Sequence, residues 1–262
     1  MKRIDAQINS SEASAAPAKD AYDDRDVYSC LICHDSGWVI GADGARPCGC
    51  RSAKLRRERR TAAGLTPALS GKSFADFSLA YYSDTTHPQL EVSYRRLAQV
   101  ALTAAQDFAA AQIAGRTTRG LLLEGGVGSG KTLLAAAIAN QLLDNGVDAL
   151  FLVVPQFLDQ LRYSYRAEND GEDEATIIKR AYNAPVLILD DLGAHNFSPW
   201  VQNKLFAIVD HRLNYRLPCV ITTNLDLNEL NDTVGERVVS RFMEMCNICK
   251  LDVDEDIRRR LD

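Results

Sequence analysis

A glycine-rich segment in the middle of the chain has the residue types that hold phosphate groups. Gly125, Gly126, Val127, Gly128, Ser129, Gly130, Lys131 and Thr132 match G-x-x-x-x-G-K-[ST]. The glycines let backbone N–H groups turn towards an anion, and a following helix adds the positive end of its dipole. The lysine reaches the β- and γ-phosphates, and the threonine hydroxyl is a ligand for Mg²⁺. The segment therefore predicts a site for ATP and Mg²⁺.

Two other short apolar runs end in polar residues. Asp190 and Asp191 follow the run 186–189, and Asn224 follows the run 219–222. Open α/β sheets bind ligands at the carboxyl ends of their strands. We therefore expect Asp190 to hold Mg²⁺, directly or through water, and Asp191 to orient or deprotonate the attacking water. Asn224 would hold that water if its strand lies beside the Asp190 strand; the alternative is a turn-forming role before Asp226.

A pair of arginines near the C-terminus has helical spacing. Arg237 and Arg241 are four residues apart, so on a helix they share one face. The planar guanidinium fork suits phosphate oxygens. The alternative is that both arginines pair with Glu236, Glu244 or other nearby acids on the surface.

Four of the seven cysteines lie within 21 residues, at Cys30, Cys33, Cys48 and Cys50. Four thiolates suit tetrahedral Zn²⁺, so the segment predicts a small zinc module. Because the second half is the tight C-x-C spacing, His34 could replace Cys48 or Cys50. The alternative is four ordinary thiols.

A second C-x-x-C pair, Cys246 and Cys249, lies on a predicted strand. Residues i and i+3 of a strand point to opposite faces, so this pair is poorly placed to share a metal. We interpret both cysteines as small buried apolar residues.

Two segments combine basic residues in ways that suit nucleic acid. One segment places basic side chains next to aromatic ones: Arg162, Tyr163, Tyr165 and Arg166. The arginines can neutralise the phosphates of single-stranded DNA, and the tyrosine rings can stack on its bases. The alternative is that Leu161 and Tyr165 face the core while Arg162 and Arg166 are solvated. The second segment, residues 51–60, carries six basic residues and one acid; it suits nucleic acid, an acidic partner surface or a solvated helix face.

The elements that position these residues form an α/β pattern. Apolar runs at 120–124, 149–154, 186–189, 219–222 and 248–253 alternate with helical stretches at 131–144, 156–165, 175–182, 199–215 and 234–242. Strands that alternate with helices predict a parallel sheet covered on both faces. We expect a disordered tail at 1–29, a zinc-binding module with a basic segment at 30–60, a linker that docks on the core at 61–87 and an ATPase domain at 88–262.

Composition limits the class of protein. Apolar residues make up 46%, charged residues 25% and the net charge is −5, which excludes a largely disordered chain and argues against a bulk polyanion binder. No run approaches about 18 uncharged apolar residues, and the first 29 residues have no secretory apolar region. We therefore expect no membrane association and a cytoplasmic location.

Four motifs, GGVGSGKT, LILDDLG, VITTN and GERVVSRF, together resemble the AAA+ ATPases of the DnaC/DnaI helicase-loader and IstB-like group. The resemblance covers roughly residues 74–260. It implies a P-loop AAA+ core with a parallel five-stranded sheet, flanking helices and no C-terminal lid domain. It also implies that Asn224 is the sensor-1 residue, and that Arg241 is an arginine finger reaching ATP in the next subunit, with Arg237 assisting.

The resemblance also carries functional expectations. The cysteine-rich segment resembles the zinc module of DnaI-type and phage loader proteins, so ATP, Mg²⁺ and Zn²⁺ are expected. A replicative helicase, single-stranded DNA and self-association through ATP are the expected partners. Two alternatives stay open: an IstB-like ATPase assisting a transposase, which is not expected to carry the zinc module, and a nucleotide-gated DNA-binding adaptor with little hydrolysis. The second is suggested by Asp191, where most AAA+ proteins have Glu. A small-molecule kinase is disfavoured by Asn224 and Arg241.

Overall fold

The computed structural model describes residues 28–41, 44–164, 174–194 and 197–260. The chain divides into two compact units, Met1–Ala53 and Lys54–Asp262. The domain boundaries drawn above from the sequence remain predictions.

The first unit contains an antiparallel hairpin. Strands β1 (Trp38–Gly41) and β2 (Gly44–Pro47) pair with Trp38 opposite Pro47. Helix α1 (Gly49–Ala62) begins in this unit, just after Cys48, and carries the run of basic residues noted above. The hairpin therefore brings the start and the end of the cysteine-rich segment together.

The second unit is built on a five-stranded parallel sheet. Its strands are β3 (Gly120–Glu124), β4 (Ala149–Val153), β5 (Val186–Leu192), β6 (Cys219–Thr223) and β7 (Cys246–Lys250). They lie in the order β4-β5-β6-β3-β7, and every neighbouring pair is parallel. The predicted α/β sheet is confirmed, and β6 lies beside β5 as the interpretation of Asn224 requires.

Helices cover both faces of this sheet. They are α2 (Tyr94–Ile113), α3 (Lys131–Asp144), α4 (Val154–Ser164), α5 (Glu174–Asn183), α6 (Pro199–Asn214), α7 (Leu227–Val234) and α8 (Glu236–Met245), with 3₁₀ turns at Phe74–Asp76, Leu79–Tyr81 and Ile257–Arg260. Within the described ranges, none of these helices is long and apolar enough to cross a membrane.

Alternating side chains of the strands build two apolar layers. Leu121, Leu123 and Ile188 pack with α2 and α3 on one face. Leu122 and Leu187 pack with α4 to α8 on the other face. The period of two along each strand sends successive side chains to opposite layers, so a buried parallel strand is apolar throughout.

The C-terminal part of the sheet differs from the expected boundaries. The last strand is Cys246–Lys250 rather than 248–253, because α8 extends to Met245 and leads directly into it. Helix α7 was not predicted; the Asp226 carboxylate caps it by accepting from the N–H groups of Asn228 and Glu229. Cys246 packs in one apolar layer and Cys249 in the other, which confirms that both are buried on opposite faces.

Candidate functional site

The glycine-rich segment forms a loop between β3 and α3. Gly128 and Gly130 have φ values of 73° and 88°, a backbone conformation that favours glycine. Gly130 is the N-cap residue of α3, and a Cβ atom there would lie 2.9 Å from both Phe77 Cε2 and Tyr82 Oη. Glycine is therefore required there by conformation and by space.

The Lys131 ammonium lies inside this loop. Its Nζ donates to the carbonyl oxygens of Gly125 and Gly126 at 2.8 and 2.7 Å and to Ser129 Oγ at 3.2 Å. Burial lowers the pKa of Lys131 to about 8, although the carboxylates of Asp252, Asp190 and Asp191 favour the charged form. Since its bonded partners are neutral oxygens, the charge stays available for an anion in the loop.

A threonine and a carboxylate meet beside this lysine. Thr132 Oγ1 donates to Asp190 at 3.0 Å, and Asp190 is only 4% exposed. Burial raises the pKa of Asp190, while hydrogen bonds from the hydroxyls of Thr222 and Thr132 oppose that rise. Hydroxyl and carboxylate oxygens are the ligands that Mg²⁺ takes, so this pair fits the metal predicted from the sequence.

Asp191 lies at the same edge of the sheet. Its Oδ1 accepts a hydrogen bond from Asn224 Nδ2 at 3.0 Å, and both residues line the cavity above the loop. The structure thus brings Lys131, Thr132, Asp190, Asp191 and Asn224 together at the carboxyl ends of β3, β5 and β6.

A cavity of about 500 Å³ opens over these residues. One wall comes from the loop and strand ends. The other comes from residues that precede α2 or follow β7: Leu69, Lys72, Asp76, Phe77, Ser78, Tyr81, Tyr82, Ile257 and Arg258. Tyr82 is buried, and its hydroxyl donates to the Ser129 carbonyl at 2.7 Å. The sequence analysis did not place the residues between Leu69 and Tyr82 at the site; the aromatic residues of this otherwise turn-rich segment were the available signal.

The segment after β7 also contacts the loop. Asp252 Oδ1 accepts from the Gly126 N–H at 3.0 Å, and its Oδ2 lies 3.3 Å from His87 Nε2. Burial alone would raise the pKa of Asp252, but these bonds and one from the Val253 N–H bring it below its usual value. Asp252 was missed at the sequence level, because nothing local marks it as a partner of a loop 126 residues earlier.

Arg237 and Arg241 lie on α8 and are not among the residues lining this cavity. Arg241 Nε donates to Asp210 Oδ1 at 2.8 Å, and its Nη1 lies 3.8 Å from Glu244. The Arg237 guanidinium stacks 3.9 Å from the centre of the Phe206 ring. Within one chain the two arginines therefore form a surface cluster with α6.

The four N-terminal cysteines converge in the first unit. Their sulfur atoms all lie within 4.8 Å of one another. The Cys30–Cys48 and Cys33–Cys50 sulfur distances are 3.8 and 3.2 Å. In a tetrahedral site with zinc–sulfur bonds of about 2.3 Å, neighbouring sulfurs lie roughly 3.8 Å apart, so the set fits zinc. His34 is outside this set, and its ring stacks on Tyr28.

The predicted DNA-binding residues are only partly described. Leu161 is fully buried, whereas Arg162 is exposed and pairs with Asp159 on its own helix at 3.1 Å. Tyr163 belongs to α4, but its side chain, Tyr165 and Arg166 lie outside the described residues. The role of this segment therefore stays a prediction.

The fold and the loop define an AAA+ ATP-binding P-loop core. The chain belongs to the family of IstB-like ATP-binding proteins, whose family model matches residues 89–256.

Relatives and a solved structure agree with this assignment. The chain is 34% identical over 113 residues to the replicative helicase loader DnaI of Bacillus subtilis, covering 43% of this chain and 35% of the relative. It is 31% identical over 121 residues to the replicative helicase loader DnaC of Escherichia coli, covering 46% and 49%. An insertion sequence IS1162 putative ATP-binding protein of Pseudomonas fluorescens is 36% identical over 110 residues, covering 42% and 46%.

The match thus spans half or less of the length of these curated relatives. The crystal structure of DnaI superimposes with a TM-score of 0.56 at 25% identity, covering 71% of this chain and 94% of that one. The resemblance to the helicase-loader and IstB-like group is confirmed.

Proposed function

We propose that this protein is an ATP-hydrolysing DNA replication protein that acts as a helicase loader. The observation that carries the proposal is that Lys131, Thr132, Asp191 and Asn224 line one cavity, with Asp190 hydrogen-bonded to Thr132 beside it. The partner in this proposal is a replicative helicase, because this chain is similar to the replicative helicase loaders DnaI and DnaC.

The lining of the cavity includes both polar and apolar residues, as the two parts of ATP require. The N–H groups of the loop and Lys131 bind the phosphates, and Thr132 with Asp190 would hold Mg²⁺, which would stabilise the charge that develops on the phosphates. Phe77 and Tyr81 offer flat aromatic faces for the base, and Leu69 adds apolar surface. Asp191 then accepts the proton of the attacking water, and the Asn224 amide orients the Asp191 carboxylate.

Arg241 supplies charge to the site of a neighbouring subunit in this proposal. It lies outside the cavity of its own chain, as an arginine acting in trans must. Self-association through ATP follows, because each site is complete only when a second chain contributes Arg241, with Arg237 assisting.

Single-stranded DNA binds along α4 in the same proposal. Arg162 is exposed on that helix, and Tyr163, Tyr165 and Arg166 follow it in the sequence. The four-cysteine module holds one Zn²⁺ and so fixes the fold of the first unit, since small modules of this kind fold on their metal.

The test uses the purified full chain and the replicative ring helicase of the same host. We expect co-elution of the two proteins in gel filtration with ATP and loss of the complex with the Lys131→Ala variant. An exposed-site variant, Arg216→Ala, is the control and should behave as wild type. Absence of ATP binding by the wild-type chain, or ATP binding with no helicase complex, contradicts the loader function.

A second candidate is an ATPase that assists a transposase. The family description and the IS1162 relative favour it. Presenting the chain with both the ring helicase and an insertion-sequence transposase of the host separates the two: ATP-dependent capture of the transposase alone supports the second candidate.

A further inference from the structure

Strand β5 is irregular where it reaches the nucleotide site. Leu189 pairs with Ile221 and Leu192 with Thr223, so three steps along β5 face two steps along β6. The extra residue forms a β-bulge, and Asp191 there has a φ of 60°, a left-handed conformation that is unusual for a residue other than glycine. In a regular strand Asp190 and Asp191 would point to opposite faces; the bulge lets both serve one site.

The Thr222 hydroxyl is hydrogen-bonded to both aspartates of this bulge. Thr222 Oγ1 accepts from the Asp191 N–H at 2.9 Å and donates to Asp190 Oδ1 at 2.7 Å. A backbone N–H can only donate, so the single hydroxyl proton is directed at the carboxylate. Thr222 is 1% exposed, which limits the access of water that could take the place of its hydroxyl.

We infer that Thr222 is a positioning residue that sets the bulge and thereby turns the carboxylates of Asp190 and Asp191 towards the same metal and water. This inference rests on the proposed ATP site, and it adds Thr222 as a residue that acts through Asp190 and Asp191. Without the hydroxyl, the partly buried Asp191 N–H loses its partner, and Asp190 Oδ1 keeps only the hydrogen bond from Thr132 Oγ1 in the described part of the chain. The left-handed backbone conformation of Asp191, which is unfavourable for a residue other than glycine, then loses the hydrogen bond to Thr222 that stabilises it.

The neighbouring residue provides a matched control. Thr223 is also fully buried on β6, and among the described residues its Oγ1 accepts a local hydrogen bond from the Leu225 N–H at 3.1 Å. Thr222→Val and Thr223→Val therefore remove the same hydroxyl from the same strand, one with and one without a link to the carboxylates. Thr222→Ser keeps the hydroxyl and serves as the rescue variant.

The first measurement is amide hydrogen exchange of the segment around Asp191 in the full-length protein. We expect exchange at the Asp191 amide to become at least about tenfold faster in Thr222→Val, because its acceptor is lost. Thr222→Ser and Thr223→Val should keep the wild-type protection at that amide. Thr222→Ala removes the hydroxyl without adding the second methyl group of valine, and it should speed exchange as Thr222→Val does, because the lost hydroxyl and not altered packing is the cause.

The second measurement is the gain in affinity for a fluorescent ATP analogue on adding Mg²⁺. Partners that orient metal ligands typically contribute about 10–100-fold to metal affinity or activity, so Thr222→Val should lose that much of the gain. Affinity without Mg²⁺ should stay within about twofold, because the loop and Lys131 are unchanged. Wild-type protection of the Asp191 amide together with an unchanged Mg²⁺ gain in Thr222→Val overturns the inference. A wild-type protein that binds no ATP overturns the proposed function instead, and amide exchange still decides the role of Thr222.

Discussion

Asp210 on α6 holds Arg241 on α8 through a 2.8 Å hydrogen bond from Nε, in a partly exposed ion pair away from the cavity of the same chain. This arrangement orients the Arg241 side chain while leaving its own nucleotide site untouched. We expect Arg241→Ala to keep monomeric ATP affinity and to lose hydrolysis, since finger arginines contribute roughly 10³ to 10⁵ in rate. Nucleotide titration and steady-state turnover measure the two effects separately.

Mixing two defective variants distinguishes action in trans from a structural ion pair. Arg241→Ala and Lys131→Ala each lack a different half of the composite site, so mixed assemblies regain activity if Arg241 reaches a neighbour. Arg216→Ala, an exposed arginine, serves as the control for loss of charge. Weakened ATP binding by monomeric Arg241→Ala, or no recovery despite proven co-assembly, contradicts the finger role.

Lys131→Ala tests the phosphate site. The ammonium is the main positive charge facing the β- and γ-phosphates, so we expect ATP affinity to fall by at least about 100-fold. The melting temperature should stay close to wild type, because the cost of burying the ammonium offsets its hydrogen bonds to Gly125, Gly126 and Ser129. Isothermal titration and thermal melting check the two parts, and unchanged affinity contradicts the site.

Metal analysis tests the cysteine module. We expect about one zinc per chain, lost in Cys30→Ser and retained in His34→Ala, since the four sulfurs converge without the histidine. Removal of zinc should unfold the first unit and leave the melting transition of the second unit in place. Loss of zinc from His34→Ala would instead place the histidine at the metal.

Arg212 is a structural cation that sequence reasoning did not identify. It is fully buried, and its guanidinium donates to the carbonyls of Ala181, Ala184 and Pro218 and to Cys219 Sγ. We expect Arg212→Lys to lower the free energy of unfolding by about 2–4 kcal/mol, because a lysine cannot satisfy this set of acceptors. Urea denaturation measures the effect. Arg216→Lys, at an exposed position just after α6, should stay within about 0.5 kcal/mol.

Asp252 gives the fold an acid-sensitive contact. Its pKa is lower folded than unfolded, so the carboxylate stabilises the folded state above the unfolded pKa and the stabilisation disappears as pH falls through the folded value. We expect the stability difference between wild type and Asp252→Asn to be largest near neutral pH and to shrink below about pH 4. Denaturant titrations between pH 3 and 7 measure this difference. A constant difference across that range would show that the charge of Asp252 is not the cause.

The amino-acid sequence by itself predicted the sites whose residues lie close together in the chain. Local spacing alone predicts a function for the loop from Gly125 to Thr132, for the carboxylates after an apolar run and for the clustered cysteines. The alternation of apolar runs and helical stretches was likewise enough for the parallel sheet, because the period of the apolar residues follows directly from the backbone geometry of strands and helices.

Tertiary structure decided the relationships that join distant parts of the chain. The bulge that turns Asp190 and Asp191 to one side depends on Thr222 in the neighbouring strand. The cavity wall formed by Phe77 and Tyr82 depends on how the preceding segment packs against the loop. Such contacts depend on strand register and on side-chain packing between residues far apart in the chain. Neither produces a periodic pattern in the sequence from which it could be predicted.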